Sequence, residues 1–150
     1  MRFETLLVPL DFSPHADRAL AAALELAVAL GAKRVHLLHV HHPPPMPTPL
    51  PGSGPSYVEI ESRLIEDAGR ALQSRVDRVG KMSFALEISV EVGVPAEVIC
   101  SEAEKRAADL IVMGTHGRTG VAHVLLGSVA ERTVARAPCP VLTVRARDAS

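Results

Sequence analysis

The sequence predicts an α/β protein with an open, three-layer parallel sheet. Five short apolar segments alternate along the chain with four segments of helical periodicity or composition. Such alternation is typical of parallel sheets built from right-handed strand–helix–strand units. With 150 residues, 47% of them hydrophobic, the chain can bury a full core. We therefore expect a single domain over residues 1–150, with a proline-rich loop at 42–56.

The first half of the chain contains two predicted strands and two predicted helices. Residues 3–10 and 34–41 are the strands, and helical spacing of apolar residues covers 14–30 and 57–79. Ser13 is the expected N-cap of the first helix, Pro14 suits its first position, and Gly31 is a stop signal. Seven prolines at 42–56 exclude a regular element there. The main interpretation is an extended surface loop, and the alternative is a lid or a partner-docking segment.

The second half adds three strands and two helices. Apolar and polar residues alternate over 84–92, which indicates one solvated face and a place near a sheet edge. A third helix is expected at 96–107. The uninterrupted apolar run at 110–113 suits a strand buried on both faces. A fourth helix, 129–136, and a last strand, 141–144, complete the pattern of five strands and four helices.

A glycine-rich loop follows the fourth strand. Gly114, Gly117, Gly127 and Ser128 form the spacing Gly-x2-Gly-x9-Gly-Ser just before the last helix. Glycine lets a ligand approach the backbone, and a helix start presents unpaired N–H groups at the positive end of its dipole. This combination suits phosphate. The spacing is neither that of a P-loop nor the dinucleotide pattern GxGxxG.

With this motif the chain resembles the universal stress protein family, in which Gly-x2-Gly-x9-Gly-Ser/Thr marks the members that bind ATP. The similarity extends to LLVPLDFS, VHLLHV, GVPAEVI and PCPVLTV, and so covers nearly the whole chain. The resemblance implies a Rossmann-like sheet with strand order 3-2-1-4-5, an order that the residues alone leave open. The ligand crevice would then lie between the carboxyl ends of strands one and four, where the strand order reverses.

Candidate binding residues follow from the crevice and from the resemblance. The family's strand-one aspartate contacts adenosine, which points to Asp11, but a carboxylate serving the next helix N-terminus is an equal interpretation from the residues alone. Val40 would line the adenine pocket or belong to the core. Arg118 and His116 would add positive charge or be solvated. The full set of predicted nucleotide-binding residues is Pro9, Leu10, Asp11, Val40, Met113, Gly114, Gly117, Arg118, Gly127, Ser128 and Val129, and the backbone N–H groups of the glycines, Ser128 and Val129 would face the phosphates.

Four histidines could suggest a metal site, but a structural or exposed role is favoured. On a strand, His39 and His41 share a face while His36 points to the other one, and His42 follows directly. No cysteine or acidic residue accompanies them. Magnesium bridging the phosphates of ATP is the expected cation, because it prefers phosphate oxygens and water to a protein cage.

Composition narrows the range of partners and compartments. The chain has 16 basic and 17 acidic residues, a net charge of −1, and so no electrostatic footprint for nucleic acid or an anionic membrane. Two cysteines form no metal or disulfide pattern. No signal peptide and no apolar run of membrane-spanning length is evident. We expect a cytoplasmic protein.

The leading functional hypothesis is an ATP-binding regulatory module of the stress response rather than a dedicated catalyst, because the loop lacks a P-loop lysine and paired carboxylates. One alternative is a slow ATP hydrolase in which Asp11 or a loop group places water. The other is a partner-binding module with a vestigial nucleotide site. Whether ATP, ADP or AMP is the ligand stays open. The resemblance also implies a homodimer through strand 141–144, whose short apolar edge invites pairing.

Overall fold

The computed structural model describes residues 1–45, 51–52, 54–116 and 125–146. Within them the strands form one parallel sheet in the order β3-β2-β1-β4-β5. The predicted fold class, alternation and strand order are confirmed. The elements in chain order are β1 (Thr5–Pro9), α1 (Pro14–Leu30), β2 (Arg34–His41), α2 (Tyr57–Val79), β3 (Ala85–Val92), α3 (Pro95–Lys105), β4 (Leu110–Gly114), α4 (Ser128–Arg136) and β5 (Val141–Val144).

Helix α1 begins and ends as its sequence predicts. The Ser13 hydroxyl accepts a hydrogen bond from the Ala16 amide at 3.2 Å, and Pro14 occupies the first helical position. Gly31 ends the helix in the left-handed region, at φ 66°, which glycine adopts without steric penalty. The predicted end of α3 at residue 107 was wrong. That helix stops at Lys105, and Ala107 has φ 49°, which no α-helical residue adopts.

The sheet is covered on both faces. Leu6, Val8 and Leu37 pack with α1 and α2 residues in one buried cluster. Leu7 and Leu38, which point the other way, pack with α3 and α4 residues in a second cluster. Alternate side chains of one strand therefore serve two cores, which explains why the central strands are apolar throughout.

The outer strands differ from the central ones. Strand β3 is an edge strand, as its alternating pattern predicted, and the Glu87 side chain is 43% exposed. Strand β5 forms the opposite edge, where Leu142 is 39% exposed. The homodimer through this strand stays a prediction, which sedimentation at micromolar concentration would test. Among the described residues, no helix is both long and apolar enough to cross a membrane.

Candidate functional site

A cavity of about 520 Å³ opens beyond the carboxyl ends of β1 and β4. These two strands are neighbours at the point where the strand order reverses, which is where open α/β sheets bind ligands. Its volume lies within the range of small-molecule sites. Nine of the predicted site residues line it: Pro9, Leu10, Asp11, Val40, Met113, Gly114, Gly127, Ser128 and Val129. The other two, Gly117 and Arg118, lie outside the described residues.

One end of the cavity is formed by the start of α4. Gly127 occupies the N-cap position, and no side chain caps the helix. The first helical hydrogen bond runs from the Glu131 amide to the Gly127 carbonyl at 2.9 Å. The amides of Ser128, Val129 and Ala130 precede that bond, so they have no partner within the helix. Together with the helix dipole they make this end attractive to an anion.

The Gly127 amide is a correction to the predicted set of phosphate donors. It donates to the Thr115 carbonyl at 2.6 Å and so cannot be assigned to a ligand. Thr115 also donates its own amide to the Val144 carbonyl at 3.1 Å. Thr115 therefore joins β5 to the start of α4 and fixes the position of the helix relative to the sheet. Gly127 still lines the cavity.

The other end of the cavity contains Asp11. Its Oδ1 accepts a hydrogen bond from the Ser13 amide at 3.0 Å, so the structural interpretation, a carboxylate that serves the entry to α1, is realised. The same residue also lines the cavity. One carboxylate can fill both roles, since it has two oxygens and about four lone-pair positions.

The turn that carries Asp11 is strained and well supported. Phe12 has φ 65°, an outlier for a bulky residue and a strain of about 1–2 kcal/mol. Its ring stacks on His39 with 4.5 Å between centroids. The Arg75 guanidinium lies over the Phe12 ring, 4.9 Å from the ring centroid. His39 Nδ1 donates to the Leu10 carbonyl at 2.7 Å. Strain held by its surroundings in this way is typical of functional sites.

The walls between the two ends are mostly apolar. Val40, Leu38, Met113 and Ile99 belong to the buried cluster beneath α3 and α4 or pack against it. A flat aromatic base could be buried among such side chains. The predicted set of site residues leaves out eight residues that line the cavity: Ala16, Leu38, His42, Pro95, Ile99, Thr115, His116 and Ala130. Of these, His116 had been named from the sequence as a candidate charge. Thr115 follows the first glycine of the motif directly, which is the one signal that could have found it.

The histidines of β2 and the residue after it, for which a structural or exposed role was favoured over a metal site, do not converge on one point. His36 Nε2 lies 2.8 Å from Ser89 Oγ, His41 Nε2 lies 3.7 Å from Glu61 Oε1, and His42 Nδ1 donates to the Gly93 carbonyl at 3.1 Å. Each imidazole thus contacts a different group. In the described part of the chain, no three histidine, cysteine or acidic residues are placed to hold a metal ion.

The fold and the cavity together define a class of protein: an open parallel α/β domain with a ligand site at the switch point of its sheet. The Universal stress protein family matches residues 2–145 of the chain. Universal stress protein MJ0531 of Methanocaldococcus jannaschii is 36% identical over 145 residues, which cover 95% of this chain and 82% of that protein. A Thermus aquaticus protein, the universal stress protein in the QAH/OAS sulfhydrylase 3′ region, is 41% identical over 144 residues, with 95% and 99% covered. The chain belongs to the universal stress protein family.

Solved structures agree with this assignment. The universal stress protein UspA from Lactobacillus plantarum has a TM-score of 0.84 at 28% identity, covering 97% of this chain and 99% of its own. The universal stress protein from Archaeoglobus fulgidus in complex with dAMP has a TM-score of 0.65 at 27% identity, with 95% and 98% covered. At least one similar protein thus binds an adenine nucleotide.

Proposed function

We propose that this protein binds an adenine nucleotide, ATP in the first place, and acts as a nucleotide-dependent regulatory module. The observation that carries the proposal is the cavity at the switch point, which joins Asp11 at one end to the uncapped start of α4 at the other. Its two ends match a ligand with a hydrogen-bonding sugar or base and an anionic tail. The complex of the Archaeoglobus fulgidus relative with dAMP supports an adenine nucleotide as that ligand.

In this proposal the parts of the nucleotide occupy different parts of the cavity. The adenine lies among the apolar side chains that include Val40 and Met113, and the Asp11 carboxylate accepts a hydrogen bond from the adenosine. The phosphates lie at the amides of Ser128 and Val129, with the Ser128 hydroxyl as a further donor. Gly117 and Arg118 stay proposed contacts of the phosphates. Magnesium binds through the phosphate oxygens and water.

Calorimetric titration with ATP and magnesium tests the proposal. We expect saturable binding of ATP. Adenosine alone and tripolyphosphate alone should each bind more weakly than ATP, since each fills one end of the cavity. Absence of saturable ATP binding at millimolar nucleotide would contradict the proposal.

Hydrolysis is a separate question about the same cavity. Asp11 is the one carboxylate among the described residues that line it, and it is the candidate for placing water. Steady phosphate release that disappears when Gly127 is replaced by valine would add a slow hydrolase activity to the proposed binding. Binding without release would leave the regulatory role, in which the bound nucleotide itself is the signal.

A further inference from the structure

A serine, a histidine and a glutamate lie next to one another on β2 and β3. Ser89 Oγ lies 2.8 Å from His36 Nε2, and His36 Nδ1 lies 3.5 Å from Glu87 Oε2. The imidazole therefore stands between a hydroxyl group at one nitrogen and a carboxylate at the other. A histidine activates a nucleophile through this order of contacts, with the third group holding the orientation of the ring.

The register of the sheet brings these three side chains together. His36 on β2 is paired with Glu87 on β3, and Leu38 is paired with Ser89 two residues further along both strands. Alternate residues of a strand point to the same face. The three side chains therefore share the face on which Leu38 packs with residues of α3. Their arrangement is fixed by two paired strands rather than by a loop.

The serine is more accessible than the histidine. Ser89 is partly exposed and belongs to an edge strand, whereas His36 is only 2% exposed. The Glu87 side chain is 43% exposed. A reagent that arrives from solvent therefore has access to the hydroxyl group, while the ring that would take its proton is protected from direct reaction.

The surroundings of His36 favour the neutral imidazole that a general base requires. Burial lowers the pKa of His36 and the Arg106 charge acts in the same direction, while Glu87 and Glu102 act against both. Glu102 itself accepts hydrogen bonds from Lys105 and Arg106. The Glu87 carboxylate beside Nδ1 favours the tautomer with its proton on that nitrogen. Nε2 is then the nitrogen that can accept the serine proton.

We propose that Ser89 is a nucleophile that accepts an acyl group from an activated ester, with His36 as its general base and Glu87 as a positioning residue. Ser89 Oγ forms a bond to the carbonyl carbon of the ester, and the bond from that carbon to the leaving oxygen breaks. The Oγ proton passes to His36 Nε2 and from there to the departing oxygen. The products are acylated Ser89 and an alcohol or phenol, with no change of oxidation state.

This reaction is separate from the proposed nucleotide binding. None of the three residues lines the cavity at the switch point. Failure of the acylation would therefore leave the proposed nucleotide binding untouched, and failure of nucleotide binding would not prevent acylation.

The test is acetylation by p-nitrophenyl acetate near neutral pH, followed at each serine by mass spectrometry of peptides. Ser101, an exposed residue of α3, is the internal reference. We expect Ser89 to react about 100-fold faster than Ser101, which is within the usual contribution of a general base. Equal rates at the two serines would overturn the proposal, because Ser89 would then serve only to hydrogen-bond the buried ring. The comparison is made within the unmodified protein, so it does not depend on the folding of a variant.

Variants of two histidines of β2 then test the base. His36→Gln should slow the acetylation of Ser89 to about the rate of Ser101. His41→Gln is the matched control, because that ring lies on the same strand but contacts Glu61, at 3.7 Å, and it should keep the fast reaction. Urea denaturation checks that each variant is folded. Fast acetylation of Ser89 in folded His36→Gln would overturn the proposal.

The role of Glu87 has its own readout, the pH profile. In the unmodified protein, acetylation of Ser89 should slow as the pH falls through the lowered pKa of His36, because a protonated ring accepts no proton. Glu87→Gln should slow the reaction at least about tenfold. It should also move the decline to lower pH, because loss of the carboxylate lowers the pKa of His36 further. An unchanged rate and profile would overturn this role of Glu87.

Discussion

The sheet uses its polar groups in opposite ways at the two ends of its parallel strands. We call the end where the strands begin the amino edge and the end where they finish the carboxyl edge. At the amino edge the polar groups satisfy one another. The Asp109 carboxylate accepts hydrogen bonds from the backbone amides of Glu4 and Thr5 at 2.8 and 2.9 Å. The Asp109 amide in turn donates to the Thr5 carbonyl at 2.8 Å. The Glu4 carbonyl accepts the amides of Lys33 and Arg34. This edge is closed, and its hydrogen bonds fix β4 and β2 against β1.

At the carboxyl edge the chain leaves a cavity instead. Helices α1 and α4 begin there, and α4 begins without a side-chain cap. Asp11 faces a cavity of about 520 Å³ while it supports its own turn. A carboxylate that joins strands therefore marks the stabilising edge, and a carboxylate beside a cavity marks the proposed binding edge. Substitutions at the two edges should separate stability from nucleotide affinity.

The largest effect is expected from Gly127→Val. Gly127 has φ −69°, which valine also adopts, so the backbone need not change, but Gly127 lines the cavity and we expect the larger residue to obstruct the proposed phosphates. We expect ATP affinity to fall about 100-fold or more, or about 2.7 kcal/mol, as measured by calorimetry. Ala135→Val, at an exposed position of the same helix, is the control and should bind normally. Normal ATP binding by Gly127→Val would show that the phosphates do not lie at this end of the cavity.

Asp109→Ala should have the next largest effect, and on stability alone. It removes the acceptor of two backbone amides, which lowers the free energy of unfolding by about 2 kcal/mol. Urea denaturation measures this loss, and Asp109→Asn should recover part of it because an amide oxygen remains. ATP affinity should stay within about twofold of the original. A large loss of affinity in the folded variant would show that the two edges are not independent.

Asp11→Asn should lower affinity without unfolding the turn. The asparagine oxygen can still accept the Ser13 amide, but one acceptor on the cavity side becomes a donor. We expect adenosine and ATP to lose affinity by the same factor, about tenfold or 1.4 kcal/mol. Asp67→Asn on the exposed face of α2 is the control. A loss for ATP that is absent for adenosine would place Asp11 at the phosphates instead.

The smallest expected effect is on the pH dependence of stability, and it comes from His36, which does not line the cavity. Burial lowers the pKa of His36, with the Arg106 charge acting in the same direction, while Glu87 opposes both. The unfolded chain therefore binds more protons than the folded one once the pH falls below about 6.5, so stability is full above that value and declines below it. In urea denaturation the decline should be smaller for His36→Gln. An equal decline in both proteins would contradict this account of His36.

Much of the architecture could be predicted because its signals are local. Ser13, Pro14 and Gly31 bound α1 through short-range chemistry, and the spacing of the glycine motif placed Gly114 and Ser128 at one cavity. Local patterns also gave helix and strand limits that were mostly right to within one or two residues. The strand order needed the family resemblance, because periodicity does not specify which strands pair.

The rest depends on contacts between segments that are far apart in sequence. The Thr115 bond that uses the Gly127 amide, the neighbouring rings of His15 and His116, and the stack that supports Phe12 all arise from tertiary placement. No periodicity or spacing signals them. The left-handed conformation of Phe12 is even contrary to local preference, so it could be seen only in the folded chain.

The most direct measurement is an amide-resolved NMR titration with ATP and magnesium. We predict saturable shifts at Ser128, Val129 and Ala130 and beside Asp11, because the nucleotide would join these two ends of the cavity. The amides of Glu4 and Thr5, bound to Asp109 at the closed edge, should not change. Saturable shifts confined to other parts of the molecule, or no shifts at millimolar ATP, would contradict the claim that the carboxyl edge holds the nucleotide.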